Sequence, residues 1–212
     1  LSKESQAGLK FRQDLMKYMP PGIVAYDHAE TVNGLAQGDV AIITEWSAFY
    51  SSLINPKTSK IVDCIQVAPE PKGPAGRKPA LGGFSLAVAS QASKKEQAAA
   101  WLFIQWVTSK ANAPTYLKLG GVPARKSVYN QPGMEDKHGF VKSLVQSWQA
   151  GVPEFRPRFA EWPQMTEIVQ EWGTKIMMGD VTTEQGAKEI GTRVEALLKD
   201  AGYYDGKKPL AQ

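Results

Sequence analysis

At 212 residues and 42% hydrophobic content, the chain is long enough to bury one large or two small cores, and none of its apolar runs approaches the ~20 residues of a membrane-spanning helix. The 25 Lys and Arg against 21 Asp and Glu give a formal charge of +4. The basic residues are scattered in pairs such as Arg77-Lys78, Lys94-Lys95 and Lys207-Lys208, which argues against a nucleic-acid-binding stripe.

The chain starts at Leu1 without a basic n-region or apolar h-region, so any export signal is expected to have been removed or to lie outside this sequence. Apolar residues at Leu9, Leu15, Met16 and Met19 predict an amphipathic helix over 5–19, stopped by Pro20-Pro21-Gly22 and packed against sequence outside this chain. Residues 31–37 read as a short helix ended by Gly38, and 40–44 as a buried strand emerging at Glu45-Trp46. Ser47 is placed to cap a helix over 48–54 before the Asn55-Pro56 break. A second buried strand is expected over 61–68, holding the single cysteine, Cys64, as a small buried thiol. One cysteine permits no intramolecular disulfide.

Residues 69–76, with three prolines and two glycines, form the strongest linker composition in the chain. The pair Gly82-Gly83 then opens a strand over 84–90; lacking Cβ atoms, both can take positive φ and admit close approach of a neighbour or ligand. Ser93-x-x-Glu96 is a capping box that starts a helix to Thr108, in which Trp101, Phe103 and Trp106 are expected in the core. Shorter helices are predicted over 113–119 and 140–149, then longer ones over 162–178 and 183–201, the last opened by Thr182-x-x-Gln185 and closed by Gly202. Trp148 and Trp172 are read as core residues. Strands alternating with helices indicate an α/β arrangement, but so few strands make a thin sheet whose partners are expected on the N-terminal side, outside this sequence.

Three segments together resemble a known family. These are Gly38-Asp39-Val40-Ala41-Ile42 followed by Thr44-Glu45-Trp46-Ser47, the glycine-led strand feeding Ser93-Lys94-Lys95-Glu96 through Trp101-Leu102-Phe103-Ile104-Gln105-Trp106-Val107-Thr108-Ser109, and the turn Pro123-Ala124-Arg125-Lys126-Ser127. With Pro157-Arg158-Phe159-Ala160-Glu161-Trp162-Pro163, they resemble the extracellular solute-binding proteins that deliver sugars and polyols to ABC transporters. The resemblance implies an α/β, periplasmic binding protein type II-like fold, here incomplete and restricted to the C-terminal portion of two lobes. It implies that residues 1–75 and 129–212 belong to the far lobe and that 76–128 complete the near lobe. It further implies a periplasmic protein, or one lipid-anchored on the outer face of the cytoplasmic membrane. Its partners would be a sugar or polyol, the permease subunits and the missing N-terminal portion of the same protein.

Sugars and polyols present hydroxyls on a largely apolar frame, so their sites combine aromatic faces with a few polar groups. Trp46 is the first candidate for stacking, with Glu45 and Ser47 beside it to bond hydroxyls. Gly82 and Gly83 offer backbone N–H groups, Phe84 is placed to line the cleft, and Arg158 and Trp162 stand in proline-bounded sequence where a guanidinium fork suits vicinal hydroxyls.

Enzyme motifs are lacking. His28 and His138 stand far apart without Cys or carboxylates at zinc-ligand spacing, and there is no nucleophile elbow or phosphate-binding loop. No cofactor or metal is expected. The carboxylate pair Glu135-Asp136 serves a glycosidase only if opposed across a sugar. The alternatives to solute capture are therefore a carbohydrate-active hydrolase or a non-catalytic interaction module.

Overall fold

Residues 2–134 and 139–205 are described by a computed structural model of the chain. It divides into two compact units, residues 1–25 with 156–212, and residues 26–155.

The first unit is helical. α1 (Lys3–Leu15) is capped by Ser2, whose hydroxyl accepts the Ser5 N–H at 3.2 Å, and runs into a 3-10 turn over Met16–Tyr18. A helix at the predicted place is present, and within this chain it packs against α8 (Trp162–Met178) and α9 (Thr183–Asp200). Gln13 fastens it by donating to the Ile176 carbonyl at 2.8 Å. α8 ends at Gly179, whose φ of 81° is the left-handed turn a helix C-terminus needs, and three residues later the Thr182–Gln185 capping box opens α9. A connection this short makes α8 and α9 a hairpin.

The hairpin closes on Ile176, Ala187 and Ile190, which are buried. Gly186 is required there, because a Cβ at that position would sit 2.5 Å from both Cδ1 and Cγ1 of Ile176. Ile176 is fully buried and has nowhere to move. Gly186→Val should therefore destabilise this unit by about 2 kcal/mol, a typical overpacking cost, read as a lower urea midpoint. Trp172 is half-buried, with Lys175 Nζ 4.2 Å and the Arg193 guanidinium 5.1 Å from its ring centre; the cations cover what an apolar core was expected to cover.

The second unit starts with α2 (His28–Gln37), held by an Asp27–Glu30 capping box and stopped by Gly38 at φ 82°. A 3-10 turn (Ser47–Phe49) and α3 (Tyr50–Leu53) follow. Val32 and Ala36 of α2 meet Leu53 in one small core, flanked by Leu35, Phe49 and Ile65. The larger core is built by α5 (Ala113–Lys118), α6 (Lys126–Tyr129) and α7 (Val141–Ala150), with Leu117, Val128, Tyr129, Phe140, Val141 and Leu144 at its centre. Burial raises the Tyr129 phenol well above its ordinary range, and its hydroxyl donates to the Pro123 carbonyl at 2.7 Å. Trp148 packs edge-on against Tyr129 at this core's margin.

α4 (Lys94–Val107) begins at the predicted Ser93–Glu96 box. Both the Ser93 hydroxyl and its N–H donate to Glu96, holding that carboxyl below the usual carboxylate range. At the other end, the Arg125 guanidinium donates two hydrogen bonds to the Thr108 carbonyl, at 2.7 and 3.0 Å. The Pro-x-Arg-x-Ser turn thus places a cation on an unpaired helix-end carbonyl, where the helix dipole favours it.

Three expectations are corrected. Residues 40–44, 61–68 and 84–90 form no β-ladder; among the described residues only isolated bridges occur, Gly73 with Gly76 and Ala80 with Val152. An apolar run becomes a strand only when a partner accepts its backbone groups. Ile42, Phe84 and Leu86 are correspondingly exposed. Cys64 is exposed too, because residues 62–64 turn, with the Cys64 N–H on the Ile61 carbonyl at 2.9 Å. Trp101, Phe103 and Trp106 are each more than half exposed, since α4 buries no residue in this chain.

Candidate functional site

The bend after residue 44 is organised by Glu45. Its side chain is nearly buried, and its two oxygens have different partners: Oε1 lies 2.7 Å from His28 Nδ1, and Oε2 accepts the Trp46 backbone N–H at 2.9 Å. Trp46 is thereby held extended, at φ −66° and ψ 136°, and becomes the residue before the Ser47–Phe49 turn, with the Phe49 N–H on the Trp46 carbonyl at 3.0 Å. Ser47 does not cap the helix: the cap position of the 3-10 turn is Trp46 and that of α3 is Phe49, and neither makes a side-chain cap bond.

His28 sits on the first turn of α2 and stacks on Phe49, ring centres 5.2 Å apart at 28°. The hydrogen bond and charge of Glu45 raise the His28 pKa above 6.5, with a smaller contribution from Asp27. A raised folded-state pKa means that the pair stabilises the fold fully below 6.5 and loses that contribution as pH rises through the higher folded value.

The Trp46 indole rests on Gly82. A Cβ on Gly82 would stand 2.8 Å from Trp46 Cζ3, closer still to Cη2, and 3.5 Å from Cζ2. The glycine is therefore needed for close approach and not for a left-handed turn, since neither Gly82 nor Gly83 has positive φ. At Gly83 a Cβ would meet nothing within 4 Å. Trp46 keeps 39% of its surface exposed, so an aromatic face remains open beside a carboxylate.

The structure thus brings Glu45, Trp46, Ser47 and Gly82 together through one bend. Phe84, two residues on, is fully exposed. Arg158 and Trp162 belong to the first unit, where Arg158 is exposed and Trp162, half-buried, starts α8. Their segment is tied down by Tyr203, whose hydroxyl donates to the buried Glu161 at 2.9 Å and whose ring meets Phe159 at 5.6 Å. An open groove of about 570 Å³ in that unit, between α1 and the α8–α9 turn, contains none of the candidate residues.

Sequence reasoning missed His28 and Phe49. The Asp27–Glu30 box marks the helix start that carries His28, but nothing in the sequence pairs it with a carboxylate 17 positions later. Among the described residues no group of three or more His, Cys, Asp or Glu side chains is arranged to hold a metal. His138 and the Glu135-Asp136 pair lie outside the described residues. No helix among those described is long and apolar enough to cross a membrane.

Comparison with known proteins gives this geometry a context. Residues 2–141 match the family described as bacterial extracellular solute-binding protein. A probable amino-acid ABC transporter periplasmic-binding protein of Sinorhizobium fredii is 28% identical, the alignment covering 94% of this chain and 45% of that protein. An erythritol/L-threitol-binding protein of Mycolicibacterium smegmatis is 22% identical, with 85% and 37% covered. The chain therefore spans less than half the length of these curated relatives.

Among solved structures, maltose-bound MalE3 of T. maritima superposes with a TM-score of 0.84 at 28% identity, covering 93% of this chain and 51% of that one. A solute-binding protein of Thermotoga lettingae bound to α-D-tagatose gives 0.77 at 26%, covering 93% and 50%. A ribitol complex from Agrobacterium radiobacter gives 0.81 at 24% identity, covering 92% and 50%, and speaks for the fold. The fold is that of part of a periplasmic binding protein, largely helical. On the match over residues 2–141, the chain belongs to the bacterial extracellular solute-binding protein family.

Proposed function

We propose that this chain is the C-terminal portion of the substrate-binding component of an ABC importer, which captures a sugar or sugar alcohol between two lobes and delivers it to the membrane permease. The observation that carries the reading is the half-open Trp46 indole seated on Gly82 with the Glu45 carboxylate at its backbone. An aromatic face matches the apolar side of a sugar, and neighbouring polar groups match its hydroxyls.

In this reading Trp46 stacks on the ligand, and Glu45, Ser47 and the backbone at Gly82 and Gly83 bond its hydroxyls. Phe84, Arg158 and Trp162 are further candidates for contact with the ligand. Residues 1–75 and 129–212 are assigned to the far lobe and 76–128 to the near one. Closure is favoured because the ligand touches both lobes only in the closed state. The protein works without catalysis or cofactor, in the periplasm or lipid-anchored outside the cytoplasmic membrane. The names of its relatives support the ligand class: they include binders of maltose, α-D-tagatose and erythritol.

The test is intrinsic tryptophan fluorescence of the full-length protein against a panel of polyols, sugars and amino acids. A saturable change with a sugar or polyol, and no product, is expected. Saturation by amino acids alone would move the reading to the ligand class named for the S. fredii relative, and product formation would make the protein an enzyme.

A further inference from the structure

The two oxygens of Glu45 join a half-exposed imidazole to the backbone of the residue whose indole lies on Gly82. The Nδ1 edge of His28 is committed to Glu45. Its ring is stacked on Phe49, which belongs to the turn that Trp46 itself begins. The histidine, the carboxylate and the tryptophan therefore form one closed circuit across α2 and the bend.

We propose that His28 is the positioning residue of the Trp46 bend: charged and stacked on Phe49, it fixes the Glu45 carboxylate that anchors the Trp46 backbone, and loss of that charge loosens the indole on Gly82. The inference rests on reading Trp46 as the stacking residue, and it adds pH control to that site. A bond between imidazolium and carboxylate is roughly twice as strong as its neutral counterpart. The charged groups facing His28 are Glu45 from the bend and, from its own helix, Asp27. Both favour the imidazolium, in keeping with its raised pKa, while the neighbouring Phe49 carries no charge. Glu30 is engaged by the Asp27 N–H in the capping box. Ligand capture should accordingly be tighter on the acid side of the His28 titration.

The experiment uses the full-length protein, with D-mannitol as the probe. NMR first follows the His28 ring and the Trp46 indole N–H without ligand. The indole resonance is expected to move with the His28 midpoint, to stay flat in H28Q and E45Q, and to remain at its acid-side position in H28R. Since wild type alone gives the first result, poor folding of a variant does not blunt it. An indole signal that ignores the His28 titration, or that keeps its pH profile in H28Q, overturns the proposal.

The D-mannitol dissociation constant is then expected to rise about fivefold across the same midpoint, the lower end of coupling between sites. A pH-independent dissociation constant overturns the control of binding even if the indole moves. No D-mannitol binding at any pH counts against the capture reading with this probe, and the ligand-free indole still decides the role of His28.

Discussion

Gly82→Ala is expected to weaken ligand capture by the full-length protein about tenfold or more while changing its stability by less than about 1 kcal/mol. The added Cβ would overlap Cη2 of Trp46 and stand 2.8 Å from Cζ3, so the ring must move. Those atoms are the far end of a side chain that is 39% exposed, so swinging it into water relieves the clash at little cost to the fold. What is lost is the orientation of the aromatic face, and one well-placed aromatic contact is worth about 0.5–1.5 kcal/mol beyond its buried area. Gly83→Ala is the matched control. Open space surrounds its Cβ position and its φ is unstrained, so a steric effect there should be small. Isothermal titration of both variants, with urea melts beside them, separates the two effects. Equal losses in the two would show that room for the indole is not what Gly82 supplies.

Leu117→Ala should have the largest effect on folding, about 2–5 kcal/mol, as expected for a fully buried leucine whose site cannot collapse. Leu117 is 1% exposed at the junction of α5, α6 and α7, together with Val128, Val141 and Leu144. Those neighbours are drawn from two helices, α6 and α7, which are tied independently, by the Tyr129–Pro123 bond and by the Ser143 hydroxyl donating to the Val67 carbonyl at 2.7 Å. The cavity therefore stays open. Chemical denaturation followed by far-UV circular dichroism measures it, and a change below about 1 kcal/mol would mean that this cluster is not the principal core of its unit.

Helix ends were legible because their signals are local chemistry. Ser93 with Glu96, Thr182 with Gln185, and the glycines at 38 and 202 stand in the sequence as they act in the structure. Strands were not legible, because alternation or a short apolar run describes a segment willing to extend and says nothing of whether a partner is at hand. Residues 84–90 illustrate this, as Phe84 and Leu86 extend into solvent. Trp101, Phe103 and Trp106 follow the same logic on a helix, where an apolar stripe looks alike whether or not something covers it.

At the candidate site, Trp46 and Gly82 drew attention for separate reasons, an aromatic at a bend and a glycine at a crossover. Their contact is a long-range event that local pattern does not encode, and it shows that the glycine serves sterics. The His28–Glu45 pair was out of reach for the same reason. Arg125 was noticed as part of a turn, but its task, bonding the Thr108 carbonyl, depends on where α4 ends in space.

The claim that Trp46 is the stacking face of a trap for hydroxyl-rich solutes is tested most directly by calorimetry of the full-length protein and its Trp46→Ala variant with maltose, ribitol, D-mannitol and α-D-tagatose. Saturable heat for at least one of them, lost in the variant while its melting temperature holds, is the predicted result. Undiminished affinity in Trp46→Ala would contradict it.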